Sequence, residues 1–165
     1  MEIWDGYLED GSLAGVDLVR GEQIPNGLYH LACDVIIKHV DGDFLLVQRD
    51  YKKDGYGGYF ELSAGGSAIK GETPIKCARR EVREETGITS GKFKRIGKEV
   101  TKNVIFVFYL LITDCDKNRI TLQEGETISY KWISESELKN FISSDGIIPT
   151  QKKRYYNFFK KNDYL

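Results

Sequence analysis

The chain has 165 residues, 41% hydrophobic and 30% charged, with a net charge of −1. That length suits one domain with a substantial core, residues 1–165, and the balanced charge offers no global field for nucleic acid or an anionic membrane. No apolar run reaches the roughly 20 residues of a membrane span, the acidic start MEIWDGYLEDG lacks a signal-peptide layout, and three widely spaced cysteines suit neither a disulfide framework nor a zinc site, so a reducing cytoplasm is expected.

Residues 3–10 and 13–20 read as short strands around the turn signal Asp10-Gly11. A loop containing Pro25-Asn26-Gly27 leads to a longer apolar strand, 28–40, and Asp41-Gly42-Asp43 turns it into a second one, FLLVQR at 44–49. The stretch 50–59, DYKKDGYGGY, is a glycine- and tyrosine-rich loop, followed by a short strand over 60–64 that enters Gly65-Gly66. Thr73 as N-cap and Pro74 at the first helical position open a helix that Gly87 closes. Strands are expected over 92–100, 104–113 and 128–133. Ser134-x-x-Glu137 is a capping box for a helix to about Ser143, and Pro149 opens one last amphipathic helix of about ten residues. Strands and helices in this order give α/β or α+β.

The helix after Pro74 divides into three sectors at about 100° per residue. Ile75, Ala78, Val82 and Thr86 form an apolar stripe toward a core, and Lys76, Arg79, Arg80 and Arg83 a basic side. Glu81, Glu84 and Glu85 share the third sector. Like charges at i,i+3 and i,i+4 destabilise a helix by about 0.2–0.5 kcal/mol per pair, and the dipole disfavours anions in the last turns. Arg80 stands about 100° away from Glu81 and is not expected to neutralise that sector alone. Either the face is solvated and ion-paired, or it holds a hard divalent cation, for which carboxylates are the right donors.

Gly66, Glu72 and Arg80-Glu81-Val82-Arg83-Glu84-Glu85-Thr86-Gly87-Ile88 resemble the Nudix box (66–88) at every fixed position. The flanks GE-x-x-P-x-G-x-YH and FLLVQR are similar to the N-terminal part of bacterial Nudix proteins and to isopentenyl diphosphate isomerases, which share the fold. The resemblance implies an α/β/α sandwich with a mixed β-sheet. It also implies a Mg²⁺- or Mn²⁺-dependent hydrolase of a diphosphate linked to another moiety, with a nucleoside diphosphate derivative as the leading substrate. Ser63-Ala64-Gly65-Gly66 departs from the Pro-Gly-Gly most members carry, which weakens the case for an oxidised nucleoside triphosphate.

Carried over by position, the resemblance makes Glu81, Glu84, Glu85 and the Gly65 or Gly66 carbonyl the metal ligands. It makes Glu72 and Arg80 a pair that orients Glu81. Glu124 or Glu126 is a candidate general base or extra ligand, against a solvated turn. Arg49 is a candidate phosphate contact, and Tyr51, Tyr56, Tyr59 and Phe60 are candidates to stack on or pack the substrate, against local packing within the loop. His30 lines up with a metal-binding histidine of the isomerases, although a histidine on an apolar strand is more often structural. Two other readings stay open: an isomerase, for which this chain lacks the reactive cysteine at the start of the box, and a non-catalytic nucleotide-binding module. The partner the resemblance implies is a small-molecule diphosphate, and the balanced charge and lack of a long apolar run lead to the expectation of no nucleic-acid polymer and no membrane. A homodimer is one option, and oligomeric state is not written in the sequence.

Overall fold

The computed structural model describes residues 1–165 apart from the side chain of Ser63. Its elements are β1 (Ile3–Tyr7), β2 (Leu13–Val19), β3 (His30–His39), β4 (Phe44–Arg49), β5 (Phe60–Glu61), β6 (Ser63–Ser67), α1 (Pro74–Thr86), β7 (Lys92–Val100), β8 (Val104–Thr113), β9 (Thr127–Ile133), α2 (Glu135–Ser143), α3 (Pro149–Arg154) and α4 (Tyr156–Lys161). β1 and β2 pair as a separate hairpin. The other seven strands form one sheet with the path β5-β4-β3-β8-β7, in which β6 also pairs with β3 and β9 with β4.

β3 and β8 are the longest strands of the apolar centre, and they pair in parallel from His30↔Val104 to His39↔Thr113. Every other pairing in this sheet is antiparallel, so the sheet is mixed. Strand periodicity sends alternate side chains to opposite faces. Leu31, Cys33, Val35 and Ile37 join Ala78 and Val82 of α1 on one face. Ile36, Phe44, Leu46 and Phe108 join Leu138, Ile142, Tyr155 and Phe159 of the later helices on the other. Helices therefore cover both faces, as an α/β/α sandwich requires.

Three local expectations change. The strand at 60–64 is two strands, and the second runs through Gly65-Gly66 in register with Asp34 and Cys33. A Cβ on Gly65 would collide with the Cys33 carbonyl oxygen, so glycine is what lets the strands approach there. Thr73 has extended backbone angles but makes no side-chain cap hydrogen bond, so Pro74 alone marks the helix start. The last helix breaks at Tyr155, which leaves helical geometry while its ring is buried 5.4 Å from that of Phe108.

Candidate active site

α1 lays its apolar stripe on the sheet, with Cys77, Ala78, Val82 and Thr86 buried, which turns the acidic sector sideways toward β6. Glu81, Glu84 and Glu85 then line one wall of a polar cleft of about 710 Å³, together with Gly65, Gly66 and Ser67. A Cβ on Gly66 would stand 2.7 Å from the Glu81 carboxyl carbon, so the carboxylate rests directly on bare backbone.

Arg80 is the hub of this wall. Its Nε donates to Glu72 Oε1 at 2.7 Å and its Nη2 to Glu72 Oε2 at 2.9 Å, a bidentate pair. Nη2 also donates to the Ser67 carbonyl at 3.0 Å, and Nη1 to Glu81 Oε1 at 2.5 Å and Glu84 Oε2 at 3.1 Å. The expectation that Arg80 cannot neutralise the acidic sector is thus corrected: the long side chain spans the 100° and reaches two of the three glutamates. Burial pushes the Glu72 carboxyl up, but Arg80 and the Ile69 N–H overcome it and hold it below the usual range. The Glu72 hydrogen bonds raise the Arg80 guanidinium further, so the pair is fixed in its charged form.

Glu85 is different. Among the described residues no cation pairs with it, and burial drives its carboxyl well above the usual range, with Glu81, Glu61 and Asp34 adding to the effect. Burial raises Glu81 too, against the pull of Arg80. The donor set is all oxygen, crowded and short of positive charge, which fits a hard divalent cation. Among the described residues, no three His, Cys, Asp or Glu side chains already converge as a ready-made metal cage. Two of the three box carboxylates, Glu81 and Glu84, are engaged by Arg80 instead.

The rest of the cleft is less local. Arg49 lines it, with Nη1 2.5 Å from Glu61 Oε1. Glu126 lines it and pairs with Lys53, whereas Glu124 is not among the lining residues. Tyr59 and Phe60 also fall outside: Phe60 packs against the second core under the Lys131 ammonium at 4.3 Å, and Tyr59 packs edge-on with Tyr56 at 5.4 Å. Tyr56 is the loop tyrosine that reaches the cleft. His30 stacks on Trp4 at 4.3 Å in another depression and does not face the carboxylates. Asp34, Glu61, Lys53 and Arg154 line the cleft without having been singled out. A lone carboxylate in an otherwise apolar strand, as in LACDVII, is the signal that marked Asp34.

A NUDIX domain family model matches residues 28–155. An uncharacterized Nudix hydrolase, lmo0368 of Listeria monocytogenes, is 35% identical over 155 residues, covering 90% of this chain and 89% of its own length. The crystal structure of DR0079 from Deinococcus radiodurans is similar in fold, with a TM-score of 0.74 at 16% identity over 94% of this chain and 98% of that one. The MutT protein of Methanosarcina mazei superposes with a TM-score of 0.60 at 22% identity, over 81% and 95%. With the box helix, the glycine strand beneath it and the sandwich around them, the chain belongs to the Nudix family and is a Nudix pyrophosphohydrolase.

Proposed function

We propose that this enzyme hydrolyses a diphosphate linked to another moiety, with Mg²⁺ or Mn²⁺ held by Glu81, Glu84, Glu85 and a backbone carbonyl of Gly65 or Gly66. The observation that carries this reading is that three carboxylates, with Glu81 resting on the bare backbone of Gly66, line one polar cleft together with Arg49 and Lys53. A bound divalent cation would neutralise phosphate charge and acidify water. Arg49 and Lys53 lie where they can take the remaining phosphate oxygens, and Arg80 holds Glu81 in place. Water attacks one phosphorus, the anhydride P–O bond breaks, and a wall carboxylate takes the proton of the water. Glu81 and Glu84 are the box candidates for that proton, and Glu126 is the candidate from the loop, replacing Glu124. His30 lies outside the cleft, and no observation favours the isomerase. A cytoplasmic setting is part of the same proposal. Chromatographic detection of the two cleavage products (nucleoside monophosphate with sugar phosphate, two nucleotides, or inorganic phosphate or pyrophosphate with the remaining phosphate ester) from a panel of nucleotide sugars, dinucleoside polyphosphates, nucleoside triphosphates and isoprenoid diphosphates, with Mg²⁺ and with Mn²⁺, tests it. Metal-independent turnover, or none on any member, would overturn it.

Two results are expected beside that panel. Mg²⁺ should raise the melting temperature, because it binds the folded cluster and not the unfolded chain; a hundredfold excess over Kd corresponds to about 2.7 kcal/mol. The shift should vanish when residues 81, 84 and 85 are all glutamine, and its survival would place the cation elsewhere. Gly66→Ala should lower turnover at least about tenfold with little change in melting temperature. The added methyl displaces the Glu81 carboxylate, and misplacement by about 1 Å can cost about 10²-fold. Unchanged kinetics in that variant would show that the Glu81 position does not matter.

A further inference from the structure

The cleft wall away from the glutamates comes from the C-terminal helices, outside the box. Pro149 starts α3, the buried Gln151 accepts the Leu62 N–H at 3.2 Å, and Tyr155 and Phe159 seal the following turn into the core. Arg154 therefore leaves a helix that is fixed on both sides. Its guanidinium lies 4.0 Å over the Phe106 ring, and Nη1 donates to Asp34 Oδ2 at 2.5 Å. Nε is buried without a hydrogen-bond partner, 3.6 Å from Glu99 Oε2. The side chain is 18% exposed, and it lines the cleft together with Asp34, Thr150 and Phe106.

This corner differs in charge balance from the Arg49–Lys53 side. There each cation has one carboxylate partner, Glu61 or Glu126, whereas Asp34 and Glu99 both flank the single Arg154 guanidinium, so a phosphate placed against it would meet excess negative charge. An apolar chain would find the Phe106 ring already covered by the guanidinium. A hydroxyl suits the corner, because it accepts from the guanidinium and donates to the carboxylate beside it. We propose that Arg154 and Asp34, with Thr150 at the rim, form the subsite for the group attached to the diphosphate, and that this group bears hydroxyls, as a sugar does. Arg154 is then a specificity-determining residue, and the inference rests on the hydrolase reading above.

The test compares ADP-ribose, UDP-glucose, isopentenyl diphosphate and methyl diphosphate, with Mg²⁺, on the wild type, Arg154→Gln, Arg154→Lys and Thr150→Phe. A sugar-bearing probe should exceed isopentenyl diphosphate at least tenfold in kcat/KM. Arg154→Gln and Thr150→Phe should raise KM for that probe at least tenfold, with kcat within about threefold, and Arg154→Lys should recover part of the loss. The loss should be at least tenfold larger for the sugar-bearing probe than for methyl diphosphate. Thr150 is exposed, so its variant tests the subsite even if Arg154→Gln fails to fold. Preference for isopentenyl diphosphate, or an unchanged KM in Thr150→Phe, would overturn the subsite. Calorimetric binding of ADP-ribose and UDP-glucose in a Glu85→Gln background separates the two readings. Tight binding of either that Thr150→Phe weakens, with no hydrolysis of any probe by the wild type, sinks the hydrolase and keeps the subsite. Equal binding with and without Thr150→Phe sinks the subsite.

Discussion

Glu85→Gln and Glu81→Gln should each lower turnover by at least about two orders of magnitude while the protein stays folded, since removing one preorganised electrostatic contact costs about 10²–10³ in rate. Glu85 is the sharper case, because no described cation offsets it and burial already disfavours its charge. Its amide should also stabilise the metal-free protein at neutral pH. A carboxyl raised on folding keeps its full contribution below the usual carboxylate range and loses it as pH climbs from there through the folded value. Metal-free Glu85→Gln should therefore lose less stability than wild type over that rise, and Mg²⁺ should narrow the difference by favouring the charged form. Steady-state kinetics and thermal melts with and without Mg²⁺ check both parts. Near-wild-type turnover of either variant on a true substrate would remove these residues from the metal site.

The difference between what was readable and what was not follows distance along the chain. The box helix was legible because its caps, its apolar stripe and its three glutamates repeat within one segment, where helical geometry alone fixes their relative places. The mixed sheet followed from the resemblance, and not from the strands. The parallel pairing of β3 with β8 joins residues more than seventy apart and leaves no local mark. The same holds for the cleft. Arg154 meets Asp34 across 120 residues, and Gln151 meets Leu62 across 89, so neither pairing has a periodic signal. The aromatic candidates of the glycine-rich loop divide in the same way. Tyr56, held at positive φ, lines the cleft, whereas Phe60 packs against the second core and Tyr59 against Tyr56, a division that composition alone does not mark. Arg80 fell between these cases: its position on the helix was read correctly, and the reach of its side chain was not.

Arg80 also carries the last expected result. Its guanidinium joins four groups: the Ser67 carbonyl at the end of β6, Glu72 on the loop before α1, and Glu81 and Glu84 on α1. Glu72 Oε2 in turn accepts the Ile69 N–H at 3.0 Å, so the loop backbone is fixed relative to the helix through one fork. Lysine keeps the charge but presents a single flexible ammonium, which cannot grip Glu72 with two parallel bonds while holding Glu81. Arg80→Lys should therefore lower turnover by about tenfold or more through the freed Glu81. Melting temperature should fall by only a few degrees, and Mg²⁺ affinity should be kept or strengthened, because the cation no longer competes with Arg80 for Glu81 and Glu84. Glu72→Gln should act through the same fork, leaving Arg80 free to swing toward the acidic face. Two residues that share one contact are not additive, so the double variant should turn over little slower than the slower single one. A double-mutant cycle in kcat/KM measures this, with Mg²⁺ affinity read separately from the melting shift. Independent, multiplying losses would mean that Arg80 serves Glu81 without Glu72, and that the fork positions nothing.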